Sequence, residues 1–142
     1  MDASAETCKN ILKEYNTILL IDWADVSIPF SLVKAGFSVF SYSPGQYSNA
    51  LIENGKPVFK RSDRTPDAVD IVYVYRPEAE HPDIIKTHVL PLHAKVLWLH
   101  PPIISAKTAE LASQIGLIFI QGIDIMTTLD IRSVISSDSD KS

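Results

Sequence analysis

Side chains able to bind ligands or to transfer protons follow several apolar stretches of the chain, at the points where those stretches end: Asp22 and Asp25, Ser43, Arg76, and His100. Ligands of parallel α/β sheets bind beyond the carboxyl ends of the strands, so these residues form the candidate site. Asp22 and His100 are residue types of an acid/base pair, and Arg76 suits a phosphate or a ribose. Nothing in the sequence shows that Asp22 and His100 meet, and we expect binding without catalysis.

The basic residues have two interpretations each. Arg76 lies near Glu78 in the chain, so it either contacts a ligand or forms an ion pair with Glu78. Lys60, Arg61 and Arg64 form the only tight basic group of the sequence. This group either contacts the 3′-phosphate of a nucleotide or lies in a solvated polar loop.

Signatures of three kinds of chemistry are missing from the sequence. No Gly-x-Ser-x-Gly motif surrounds a serine, which argues against an esterase, and no Gly-x-Gly-x-x-Gly follows the first predicted strand, which argues against an NAD-dependent oxidoreductase. The four histidines include no His-x3-His pair and have no cysteine partner, so we expect no metal site. The sequence therefore predicts a protein that is not an enzyme.

The elements that position these residues alternate between buried strands and helices. Apolar runs without polar alternation predict strands buried on both faces of a parallel sheet, at Thr17–Ile21, Phe37–Tyr42, Ala68–Tyr75, Ala94–Leu99 and Leu117–Gln121. Helical patterns lie between them, among them Val26–Ala35 with Ser27 as its cap, a helix beginning at Pro82, and one capped by Ser105. This order predicts an α/β, Rossmann-like three-layer sandwich with a five-stranded, mainly parallel sheet. Residues 46–66 are the least regular part, with a turn signal at Asn54-Gly55.

Length and composition favour one domain. The chain has 142 residues, of which 46% are hydrophobic, enough for one well-filled core. We expect an N-terminal helix in residues 1–16, a domain in residues 17–135, and a polar, disordered tail in residues 136–142. A net charge of −4 argues against nucleic-acid binding. Apolar runs too short to cross a bilayer argue against a membrane partner, and a single cysteine fits a cytoplasmic location.

The order and spacing of several segments resemble the CoA-binding-domain family, small Rossmann-like proteins related to the nucleotide-binding domain of succinyl-CoA synthetase. The resemblance covers roughly residues 15–125. It is carried by Ala35–Val39 running into Ser43-Pro44, then by Pro66–Val72, Tyr75–Glu78, Ala94–Leu99 and Gly116–Ile120.

The resemblance implies a non-catalytic domain that binds the ADP part of CoA. The first loop would lie on the pyrophosphate, Ser43-Pro44 and Arg76 would lie near the adenosine, and His100 stands where the family usually has Gln. The residues that the resemblance places at the ligand are Ala24, Ser27, Ser43, Pro44, Arg76 and His100.

The chain departs from the family in the first loop. The family's small-residue turn, which lets backbone N–H groups approach phosphate, is replaced by Asp22-Trp23-Ala24-Asp25. A carboxylate about 4 Å from a phosphate charge costs about 1 kcal/mol in water and about 4 kcal/mol at an effective dielectric constant of 20. Gly122-Ile123 likewise replaces an Arg-Cys pair that is common after the last strand.

Two functions remain open. The first is a binding module for CoA or another adenine nucleotide, which is favoured by Ser43-Pro44 and Arg76. The second is a degenerate CoA-binding-like domain that has lost its ligand and acts in protein interaction or homo-oligomerisation, which is favoured by Asp22, Trp23 and Asp25. We expect a small-molecule nucleotide as the partner in the first case and a protein in the second.

Overall fold

A computed structural model describes residues 5–42, 46–61 and 66–129 of the chain. Its helices and strands are α1 (Ala5–Glu14), β1 (Thr17–Ile21), α2 (Ser27–Lys34), β2 (Ser38–Tyr42), β3 (Tyr47–Glu53), β4 (Lys56–Arg61), β5 (Ile71–Val74), α3 (His81–Ile84), β6 (Val96–Leu99), α4 (Ala106–Gln114) and β7 (Ile118–Ile120). A 3₁₀ turn (Glu78–Glu80) precedes α3 and a π-helical turn (Ile85–Val89) follows it. Residues 125–129 are also helical.

All seven strands belong to one sheet, in the order β4-β3-β2-β1-β5-β6-β7. Five of them, from β2 across to β7, run parallel, whereas β3 and β4 form an antiparallel hairpin at the β2 side. Helices cover both faces of the sheet. The predicted α/β, Rossmann-like sandwich is confirmed.

The core lies in two layers, one on each face of the sheet. Successive residues of a strand point to opposite faces, so Ile18 and Leu20 of β1 pack with α1 and α2, whereas Leu19 and Ile21 pack against α3 and the π-helical turn. Both faces of β1 are buried, as the unbroken apolar run predicts.

The prediction of five strands is wrong, because residues 46–66 contain the β3–β4 hairpin. Asn54 and Gly55 both have positive φ, +52° and +75°, as a two-residue type I′ turn requires. The turn was visible in the sequence, but the flanking strands were not. β4 is an exposed edge strand containing Lys56, Pro57 and Lys60, so it lacks the apolar pattern of a buried strand.

Two of the predicted helix ends, at Ser105 and Gly36, are confirmed, and the predicted cap at Ser27 is not. The Ser105 side chain accepts a hydrogen bond from the Thr108 N–H at 3.0 Å and caps α4, and Gly36 has a φ of +99° after α2. Ser27 is the first residue of α2 rather than its cap, and its N–H donates to the Asp25 carboxylate at 2.8 Å.

The order of the parallel strands creates one reversal point. β1 lies between β2 and β5, and the helix that follows β1 (α2) packs on one face of the sheet, whereas the helix that follows β5 (α3) packs on the other. A crevice opens beyond the carboxyl ends of such a strand pair, and ligands of open α/β sheets bind there. Ser43, Pro44 and Arg64, and the predicted tail at residues 136–142, lie outside the described residues.

Candidate functional site

The crevice at the reversal point contains a cavity of about 340 Å³. Its walls come from the ends of β1, β2 and β5 and from the segment that follows β5. The lining residues are Ile21, Asp22, Tyr42, Arg76, Glu80, Asp83, Ile84, Thr87 and His88. Its volume is within the range of pockets that hold small organic ligands, about 300–1,000 Å³.

Arg76 lines this crevice and lies between two carboxylates. Its Nη1 lies 3.1 Å from Asp22 Oδ2, while Nε and Nη2 donate to the two carboxylate oxygens of Glu80 at 3.0 and 2.7 Å. The hydrogen bonds that Arg76 donates to Glu80 and then to Asp22 raise the pKa of Arg76, and those that Glu80 accepts lower the pKa of Glu80. The ion pair predicted as the alternative role of Arg76 therefore exists, with Glu80 and Asp22 rather than Glu78.

Asp22 begins the loop between β1 and α2 in a strained conformation. Its φ is +64°, the left-handed region that favours glycine and that aspartate tolerates better than most residues. Its Oδ1 accepts the N–H of Trp23 at 2.9 Å, while Oδ2 contacts Arg76. One carboxylate thus holds both a backbone N–H of the loop and the cation of the crevice.

Asp25 likewise accepts a backbone N–H, at the start of α2. Its Oδ1 accepts the Ser27 N–H, and that backbone hydrogen bond lowers the pKa of Asp25. A helix N-terminus presents backbone N–H groups to anions, and here a carboxylate of the chain takes one of them. Ala24 and Ser27, the two loop residues predicted to contact pyrophosphate, are both exposed beside these carboxylates.

The ring of Trp23 belongs to an aromatic cluster with Phe59 and Phe30. It stacks on Phe59 of β4 with centroids 5.3 Å apart, and Phe59 also contacts Phe30 of α2 at 5.1 Å. The hairpin therefore packs against the loop through Phe59. This contact explains why a bulky residue replaces the small one expected in the loop.

Tyr42 and His88 line the crevice near β2, and Tyr47 of β3 contacts both of them. The Tyr47 hydroxyl and His88 Nδ1 are hydrogen-bonded at 2.6 Å, and the Tyr42 ring lies 4.3 Å from the His88 ring. Burial lowers the pKa of His88 and favours the neutral imidazole. Sequence reasoning missed this group, although Tyr42 ends a predicted strand next to Ser43.

His100 has partners of its own outside the crevice lining. It is 8% exposed, its Nδ1 is hydrogen-bonded to the Tyr73 hydroxyl at 2.5 Å, and Tyr75 meets its ring edge-on. Burial raises the pKa of Tyr73, which keeps that hydroxyl protonated. Asp22 bonds Arg76 and Trp23 instead, so the structure does not join Asp22 and His100 as an acid/base pair.

A buried network supports the backbone of Arg76. His81 Nε2 is hydrogen-bonded to the Arg76 carbonyl at 2.8 Å, and its Nδ1 to Thr108 Oγ1 at 2.7 Å. Next to it, the Ser105 hydroxyl donates to Glu78. These bonds link α3 and α4 to the end of β5 and hold the backbone of Arg76 in place.

Metal-binding clusters and membrane-spanning helices are both absent from residues 5–42, 46–61 and 66–129. Within these ranges, no group of three or more His, Cys, Asp or Glu side chains is arranged to hold a metal ion. In the same part of the chain, no helix has the length and apolar character needed to cross a membrane.

A family model described as a CoA binding domain matches residues 27–127, more than half of the chain. The chain belongs to the CoA-binding-domain family. The match includes α2, the crevice segment with Arg76 and His88, and β7. It starts at the first residue of α2, after the loop that contains Asp22 and Asp25.

Solved structures share the fold of this CoA-binding domain at low sequence identity. Prb, a protein redesigned for binding, is 21% identical with a TM-score of 0.69 over 90% of this chain and 92% of its own. A Thermus thermophilus protein is 16% identical with a TM-score of 0.70, over 92% of this chain and 99% of its own. A Pyrococcus horikoshii protein is 16% identical with a TM-score of 0.68, over 90% of this chain and 91% of its own. The chain matches no curated protein significantly.

Proposed function

We propose that this CoA-binding domain binds CoA or another adenine nucleotide in the crevice between β1 and β5, and that it performs no chemistry of its own. The observation that carries the proposal is the cavity of about 340 Å³ at the reversal point of the sheet, with Arg76 in its lining. Family membership names CoA as the first ligand to test.

The cavity offers suitable contacts for a purine base and a ribose. Tyr42 and His88 provide ring surfaces, and Ile21 and Ile84 add apolar area. Carboxylates such as those of Asp22 and Glu80 accept hydrogen bonds from ribose hydroxyls, as acidic residues do in related nucleotide-binding folds.

Phosphate binding requires Arg76 to exchange partners. Three of its N–H groups bond Asp22 and Glu80, so a phosphate would compete with both carboxylates. The Arg76 side chain is 39% exposed and its partners 38% and 44%, which makes these ion pairs weak, about 0–1 kcal/mol each. Replacing these ion pairs with a contact between Arg76 and phosphate therefore costs little free energy.

Isothermal titration with CoA, ADP and NAD tests the proposal. We expect heat with CoA or ADP, and loss of about tenfold or more in affinity on Arg76→Ala. Lys95→Ala is the matched control, since Lys95 is an exposed cation just before β6, at the amino ends of the parallel strands, whereas the crevice lies at their carboxyl ends. No heat at millimolar ligand, or equal effects of the two changes, would refute the proposal.

The alternative is a degenerate domain that acts in protein interaction or oligomerisation. A specific observation favours it, namely that the Asp22 and Asp25 carboxylates take backbone N–H groups of the loop where phosphate would bind. Size-exclusion chromatography with light scattering, followed by affinity capture, tests it. A strictly monomeric protein that captures no partner would count against this alternative.

A further inference from the structure

Among residues 5–42, 46–61 and 66–129, the crevice lining carries more negative than positive charge. Asp22, Glu80 and Asp83 contribute three carboxylates to it, while Arg76 contributes a guanidinium. The other titratable groups in that described lining are His88 and Tyr42, and burial favours the neutral form of His88. Arg76 already bonds two of the three carboxylates, so its charge is largely compensated before any ligand arrives.

The first loop adds to this imbalance. The Asp25 carboxylate lies at the start of α2 and takes the Ser27 N–H, and Asp22 takes the Trp23 N–H. A phosphate placed on the loop would lose these two backbone donors and would stand next to both carboxylates. Hydroxyl groups face no such conflict, because they donate hydrogen bonds to carboxylates without adding charge.

We infer that the crevice selects adenine ligands by their lack of phosphate charge, so that the neutral nucleoside adenosine binds more tightly than AMP, ADP or CoA. The inference rests on the proposed function and specifies its ligand class. The base lies against Tyr42 and His88, and the ribose hydroxyls donate to Asp22 or Glu80. Each added phosphate then lies near the charges of Asp22 and Glu80, whether or not Arg76 exchanges its partners.

Isothermal titration of the full chain with adenosine, AMP, ADP and CoA tests this order. We expect affinity to fall about tenfold or more from adenosine to ADP. In the double variant Asp22→Asn, Glu80→Gln the side chains keep their shape and lose their charge, and asparagine tolerates the positive φ of Asp22. The ratio of adenosine affinity to ADP affinity should then fall about tenfold, because the neutral side chains no longer repel phosphate and no longer offer charged acceptors to the ribose hydroxyls.

Glu53→Gln is the matched control. Glu53 also forms an ion pair with a cation, Lys60, but it lies at the turn end of the hairpin and does not line the crevice. The same change there should leave all four affinities unaltered. Equal urea midpoints for the three proteins would show that the substitutions leave the fold intact.

The outcomes separate the inference from the proposed function. If CoA or ADP binds the wild-type protein as tightly as adenosine, or if the double variant leaves the adenosine-to-ADP difference unchanged, the charge selection is refuted and nucleotide binding stands. If no adenine ligand binds either protein, both fail together. An adenosine-to-ADP difference that closes only in the double variant supports the inference.

Discussion

The contact between Trp23 and Phe59 should hold the β3–β4 hairpin against the first loop. The two rings are stacked, with centroids 5.3 Å apart and planes 16° from parallel. Such aromatic pairs contribute about 0.5–1.5 kcal/mol beyond the area that they bury. We therefore predict a coupling free energy of about 1 kcal/mol between Trp23→Leu and Phe59→Leu.

Urea unfolding of the wild-type protein, both single variants and the double variant measures that coupling. A second cycle pairs Trp23→Leu with Ile115→Ala, which lies next to β7 at the far edge of the sheet, and should give additive effects. A Trp23–Phe59 coupling below about 0.3 kcal/mol would refute the stacking as a source of stability. The tryptophan in the loop would then have no structural explanation.

Two further predictions concern stability. The Asp70 carboxylate accepts the N–H groups of Asn16 and Thr17 at 3.0 and 3.2 Å, so Asp70→Ala should lower the free energy of unfolding by about 1–3 kcal/mol in urea titrations, and an unchanged midpoint would contradict this. Burial lowers the pKa of His88 below its ordinary value of 6.5, so near that pH the unfolded chain binds more protons than the folded one. The free energy of unfolding should therefore decrease as pH falls below about 6.5. Thermal melts between pH 8 and 5 should show a smaller acid loss for His88→Gln than for wild type, and equal losses would contradict the assignment.

The strands that position the site could be predicted from the sequence, because burial determines which residue types such strands contain. The predicted strand at Thr17–Ile21 coincides with β1, since a strand buried on both faces needs an unbroken apolar run. The positions of Asp22 and Arg76 at neighbouring strand ends follow from the same pattern and from the rule for parallel connections. Ser105 was predictable as a cap because its side chain satisfies a helix N–H directly.

The details of the site could not be read in the same way. One of the two partners of Arg76 is Glu80, four residues along the chain, because a 3₁₀ turn follows β5. No periodicity in the sequence marks that geometry. The pairing of Tyr47 with His88 joins residues 41 positions apart across a hairpin that the sequence did not reveal. Contacts of this kind depend on tertiary packing rather than on local propensity.

The most direct test of the central claim is an NMR titration of the ¹⁵N-labelled protein with ADP. If adenine nucleotides bind in the crevice, saturable shifts should appear in the amides of residues 22–27 and of Arg76, Thr87 and His88, which line or adjoin it. Lys95, just before β6 at the amino ends of the parallel strands, should not shift. Shifts confined to those amino ends, or no shifts at millimolar ADP, would contradict the account.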